Sequence, residues 1–108
     1  MDDLERKEHL ENLLEFIDRH SRYTESNFDI LSSKLQEEFI RETHRLDDMK
    51  RNHYLNNLRQ TRDKEEKYFE RAKAKDRPRE FGFFIKAFKG DVDDELMMIN
   101  HSPTSNDN

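Results

Sequence analysis

Residues 1–77 contain neither glycine nor proline; Pro78, Gly82, Gly90 and Pro103 all lie beyond them. Glycine and proline are the residues with which a chain turns and stops its elements. A fold of short elements needs several, and disordered segments are usually rich in them. A long helix needs neither. The apolar residues follow the same logic. Leu10, Leu14, Ile17, Ser21, Thr24, Phe28, Leu31 and Leu35 recur in alternating steps of four and three, weakest at Ser21 and Thr24. That is a heptad stripe. Phe39, Leu46, Met49 and Leu58 carry it onward. The 11-residue steps from Phe28 to Phe39 and from Leu35 to Leu46 mark a stutter. Leu13, Phe16, Ile40, Tyr54 and Leu55 widen the stripe, which suits a bundle better than a two-helix seam.

Only 31% of the residues are hydrophobic and 42% are charged. So little apolar material argues against a self-contained two-layer core and for a stripe buried on partner chains. The expectation is all-α: a long helix over residues 4–77 forming a coiled coil or helical bundle with partners. Residues 21–27 are its weakest stretch, where Ser26 could cap a second helix from Asn27. A hairpin broken there is the alternative. The continuous helix is preferred, because the heptad phase survives and no turn residue interrupts it. Past Arg59 only Tyr68, Phe69 and Ala72 remain of the stripe. A solvated helix ending before Pro78, at Arg77, is expected.

Residues 78–99 form a second contact segment. Phe81, Phe83, Phe84, Ile85 and Phe88 make a short aromatic cluster, followed by an acidic run. Residues 100–108 read as a disordered tail. Charge is unevenly placed: residues 59–89 carry 11 basic and 6 acidic side chains, against 9 and 14 over 1–58 and 0 and 5 over 90–108. The basic patch Arg71, Lys73, Lys75, Arg77 and Arg79 reads as a solvated helix end complementing the dipole. Two other readings are a membrane-surface anchor shared with the phenylalanines, and a nucleic-acid or nuclear-targeting patch.

Signals for chemistry are sparse. There is no cysteine, and the five histidines make no HxxxH or HExxH spacing. Glu38 and Glu42 share a helix face and read as a solvated pair. No phosphate-binding glycine loop and no nucleophile motif occurs. The chain therefore reads as non-enzymatic, with no catalytic, metal or cofactor residues. No apolar run of spanning length is present, and the first residues are acidic. The cytoplasm is the expected compartment, with the nucleus as alternative.

The stretch Phe39-Ile40-Arg41-Glu42-Thr43-His44-Arg45-Leu46-Asp47-Asp48-Met49-Lys50-Arg51 resembles the KxDL family of coiled-coil subunits. Phe39, Thr43, Leu46, Met49, Lys50 and Arg51 carry the likeness, and Leu31-Ser32-Ser33 is also similar. The namesake signature departs, reading Lys50-Arg51-Asn52-His53. The resemblance implies a hetero-oligomeric subunit of an assembly acting on lysosomes and related organelles. The residues alone point to a scaffold or complex subunit binding protein partners through helix packing, as hetero-oligomer or homo-oligomer. A peripheral membrane adaptor and a nuclear regulator with weak nucleic-acid contact are the alternatives.

Overall fold

The computed structural model describes residues 3–45 and 52–100. They are helical, with no strand among them: α1 spans Asp3–Arg19, α2 Glu25–Arg45, α3 Asn52–Gln60, α4 Glu66–Arg71 and α5 Arg77–Asn100. A π-helical turn, Thr61–Glu65, joins α3 to α4, so the two form one rod. Four rods therefore pack together. Cross-contacts give their directions. Arg6 meets Glu42 while His9 meets Glu38, so α2 runs antiparallel to α1. Phe28 stacks on Phe69 while Tyr54 bonds Glu38, so the third rod returns. Phe69 meets Phe81 while Thr61 bonds Asp91, so α5 descends again. This is an up-down-up-down bundle.

The long helix expected over 4–77 is thus divided among three antiparallel rods, and the hairpin alternative describes the first break. The turn at 20–24 needs no glycine, since every described non-glycine residue keeps negative φ. Side chains close it instead. His20 Nδ1–H donates to the Phe16 carbonyl at 2.9 Å, and the Ser21 hydroxyl to the Asp18 carbonyl at 2.8 Å. They satisfy carbonyls that the end of α1 would leave orphaned. Thr24, not Ser26, is the cap of α2: its Oγ1 accepts the Asn27 N–H at 2.9 Å. The Asn27 amide then donates back to the Arg22 carbonyl at 2.7 Å.

The third rod ends at Arg71. Ala72 and Lys73 are extended, with ψ of 145° and 155°. A 3-10 turn, Ala74–Asp76, leads into α5. Arg77 is a boundary, as expected, but it opens a helix rather than closing one. Pro78 sits in the first turn of α5, where a missing N–H costs nothing and its fixed φ is already helical. The segment expected as a separate aromatic contact is therefore the front half of a 24-residue helix. Asn100, assigned to a disordered tail, ends it; residues 101–108 lie outside the described residues.

The core explains how a chain so poor in apolar residues closes on itself. Five phenylalanines, Phe28, Phe69, Phe81, Phe84 and Phe88, are buried in it. Each is large, so few residues fill the space between rods. Phe28 stacks on Phe69 with centroids 3.9 Å apart, and Phe81, Phe84 and Tyr23 meet these rings edge-on or tilted. Leu10, Leu13, Ile17, Leu31, Leu35, Leu58 and Val92 complete the layer. The solvated continuation expected past Arg59 is corrected here: Phe69 is 1% exposed and Thr61 is buried too.

Candidate functional site

The two ends of the bundle differ in chemistry. One end holds the aromatic cluster. The other holds a buried ionic network where α1, α2, α3 and α5 converge. Arg6, 1% exposed, donates through Nη1 to both Glu42 oxygens at 3.1 Å. Its Nη2 and Nε reach Glu95 Oε2 at 2.6 and 3.1 Å. Glu42, 0% exposed, also accepts from Arg41 at 2.6 Å and Arg45 at 3.0 Å. Glu38 accepts from the Tyr54 hydroxyl at 3.0 Å and lies 2.8 Å from His9 Nε2. The solvated reading of Glu38 and Glu42 is therefore overturned: α1 and α3 cover that face of α2, α1 bringing the Arg6 cation and α3 the Tyr54 hydroxyl.

Electrostatics explain why these charges stay inside. Burial opposes the Glu42 charge, but hydrogen bonds from Arg45 and Arg6 outweigh it and hold the carboxyl below its ordinary range. Burial likewise works against the Arg6 cation, and Glu42 and Glu95 more than offset it. Tyr54 is pushed up by burial and then by the Glu38 charge, so it remains a hydrogen-bond donor. The Arg6 guanidinium and the Tyr54 hydroxyl are already spent on carboxylates, while Arg45 Nε is buried without a partner among the described residues. Among the described residues, no three histidine, aspartate or glutamate side chains converge to hold a metal ion. The network can fix register, as buried charged groups do in helical assemblies. It offers no open face to a ligand.

The open face lies elsewhere, between the third rod and α5. An open groove of about 940 Å³ runs along them. Its cations are Lys64, Arg71, Lys73, Lys75, Arg79 and Lys86, against three acids, Glu65, Asp76 and Glu80. Tyr68 and Phe83 face it and are 49% and 50% exposed. Ala72 and Ala87 give it low points where another backbone can approach. On α5 the lining positions 79, 80, 83, 86 and 87 follow helical spacing, as do 64, 65, 68 and 71 opposite, and residues 72, 73, 75 and 76 line one end from the connection between them. The groove is thus a seam between two antiparallel rods. Within the described residues Arg79 pairs with Glu80 and more distantly with Asp76.

The expected site residues divide sharply. Of the oligomerisation stripe, Leu10, Ile17, Phe28, Leu31, Leu35 and Leu58 are buried in the chain's own core, with Leu14 and Phe39 packed against it. Leu46 and Met49 lie outside the described residues. Of the second contact, Phe81, Phe84 and Phe88 are core, Ile85 packs against it, and Phe83 alone of the four phenylalanines faces outward. Of the basic patch, Arg71, Lys73, Lys75 and Arg79 line the groove. Arg77 turns away to clasp Glu25 at 3.0 and 3.1 Å, with its guanidinium 4.9 Å over the Phe69 ring. It fastens the start of α5 to α2.

Sequence reasoning missed Lys64, Tyr68 and Lys86 as partners of that patch. Helical spacing from Arg71 and from Phe83 could have found them: Tyr68 precedes Arg71 by three, and Lys86 follows Phe83 by three. Arg6 gave no signal, since its partners come from two other helices. Comparison of the chain with protein families, with curated proteins and with solved structures finds no match.

Proposed function

We propose that this chain is a non-enzymatic adaptor: a helical bundle that joins a multi-protein assembly through a surface groove rather than by lending its heptad stripe to a shared coiled coil. The observation that carries this reading is the groove. It places half-exposed aromatic rings among cations that outnumber the acids, which is the composition of a binding surface. The buried stripe supports it from the other side, because residues already packed on their own chain are not free to recruit a partner. The likeness of residues 39–51 to KxDL subunits points the same way, toward membership of a larger assembly.

Two measurements test the reading. Sedimentation equilibrium with circular dichroism should give a helical species that folds without a partner; an unfolded monomer would return the stripe to its role as a partner-binding seam. A photoreactive amino acid at position 83 or 68 should form a defined heteromeric adduct in cell extract, and one at Glu15, exposed on α1, should not. Adducts formed equally at all three positions, or at none, would refute the adaptor reading.

A further inference from the structure

The adaptor reading leaves the partner's chemistry open, and the groove narrows it. We propose that the groove between the third rod and α5 receives an acidic amphipathic helix. The proposal rests on the adaptor reading and deepens it.

Shape comes first. Lining residues 79–87 of α5 cover roughly 12 Å at the rise of a helix, and 64–71 opposite cover roughly 10 Å. A seam of that length between antiparallel rods accepts about two turns of a further helix, packed ridge into groove as the rods pack on one another. Ala72 and Ala87 allow close approach. Tyr68 and Phe83 stand where the apolar stripe of that helix would lie.

Charge then selects the sign. Lys64, Arg71, Lys73, Lys75 and Lys86 make no hydrogen bond or ion pair with any side chain among the described residues. They flank the aromatic pair along both walls. An incoming helix with apolar residues in its centre and carboxylates on both flanks would pair with them, in a register that keeps its carboxylates clear of Glu65, Asp76 and Glu80.

The competing occupants fit less well. A polyphosphate strand is charged at every unit and so could not avoid Glu65, Asp76 and Glu80 as a helix with an apolar face can, on a chain whose net charge is −5. A membrane anchor needs protruding apolar residues, yet Phe81, Phe84 and Phe88 are in the core and the groove is concave.

The test uses the full chain and a fluorescent synthetic helix of about 18 residues, long enough to overrun the seam. It carries leucines at heptad spacing flanked by glutamates. Controls are the same peptide with lysine for glutamate, an oligothymidylate, and phosphatidylserine-containing vesicles. Binding is read by anisotropy and by amide chemical shifts. The acidic peptide should bind, weaken with added salt, and shift amides within 64–87. The lysine peptide should not bind. Phe83→Ala or Tyr68→Ala should weaken binding about tenfold, as loss of an interfacial aromatic anchor does. Both positions are half-exposed, so folding should be retained, and circular dichroism checks this. Equal binding of the acidic and lysine peptides, shifts outside 64–87, or binding of only the oligothymidylate or the vesicles would overturn the proposal. Failure of every probe while position 83 still crosslinks a protein would sink the acidic-helix assignment and leave the adaptor reading standing. Failure of both would sink both.

Discussion

Tyr68 and Phe69 are adjacent aromatic residues in α4, and the fold assigns them opposite consequences. Phe69 is 1% exposed, stacked on Phe28 at 3.9 Å and near Phe81, Tyr23 and the Arg77 guanidinium. Tyr68 is 49% exposed in the groove. Phe69→Ala removes a buried ring and leaves a cavity among side chains that cannot collapse fully. Such substitutions cost about 3–5 kcal/mol. Tyr68→Ala at an exposed site should cost within about 0.5 kcal/mol. The assay is urea unfolding followed by helical circular dichroism. With a slope on the order of 1–3 kcal/mol per molar, Phe69→Ala should lower the midpoint by roughly 1–5 M. A domain holding about 5–15 kcal/mol in total would be close to unfolding. If 68–69 instead lay on a solvated, partner-dependent helix, the two substitutions would cost alike. Equal midpoints for both variants would refute the bundle's aromatic end.

Other outcomes follow from the same contacts. Arg6→Met should cost about 3–5 kcal/mol, because it withdraws a buried cation from carboxylates on two helices; urea unfolding at neutral pH checks it, and a loss below 1 kcal/mol would show that the network is not formed. Thr24→Ala should cost about 1 kcal/mol through the lost cap of α2, and Ser26→Ala almost nothing. Burial pushes Asp91 up to about 6 despite the Thr61 hydroxyl that donates to it; Asp94 and Glu65 add to the rise and His53 opposes it. Because its folded value lies above the unfolded one, this group's contribution to stability is fully present below 3.8, falls away as pH rises from there, and is lost above about 6. Asp91→Asn should therefore raise stability against urea at pH near 7.5 by on the order of 1 kcal/mol after solvent screening, by less near pH 5, and not at all near pH 3. Glu42 behaves oppositely: its carboxyl is held low, so its stabilisation is present above the unfolded carboxylate range and is lost on strong acidification.

The sequence by itself settled that the chain is all-α. Helical periodicity is local, and the turn-free first 77 residues left little else. It also named much of the core, since Leu10, Ile17, Phe28, Leu31, Leu35 and Leu58 are buried whichever helix covers them. It could not say what covers them. A heptad stripe is satisfied equally by a partner or by the same chain folded back, and the difference lay in a turn built from His20, Ser21, Thr24 and Asn27 side chains rather than glycine. Pro78 was read as a stop because proline suits a helix's first turn as well as its end, and which applies depends on what precedes it. Glu38 and Glu42 looked solvated because their cations come from α1 and from their own helix's last turns, and only packing sets Arg6 between Glu42 and Glu95. The groove needed the third rod and α5 side by side. Lys64 and Lys86 are far apart in sequence and share a seam only because two antiparallel helices bring them there.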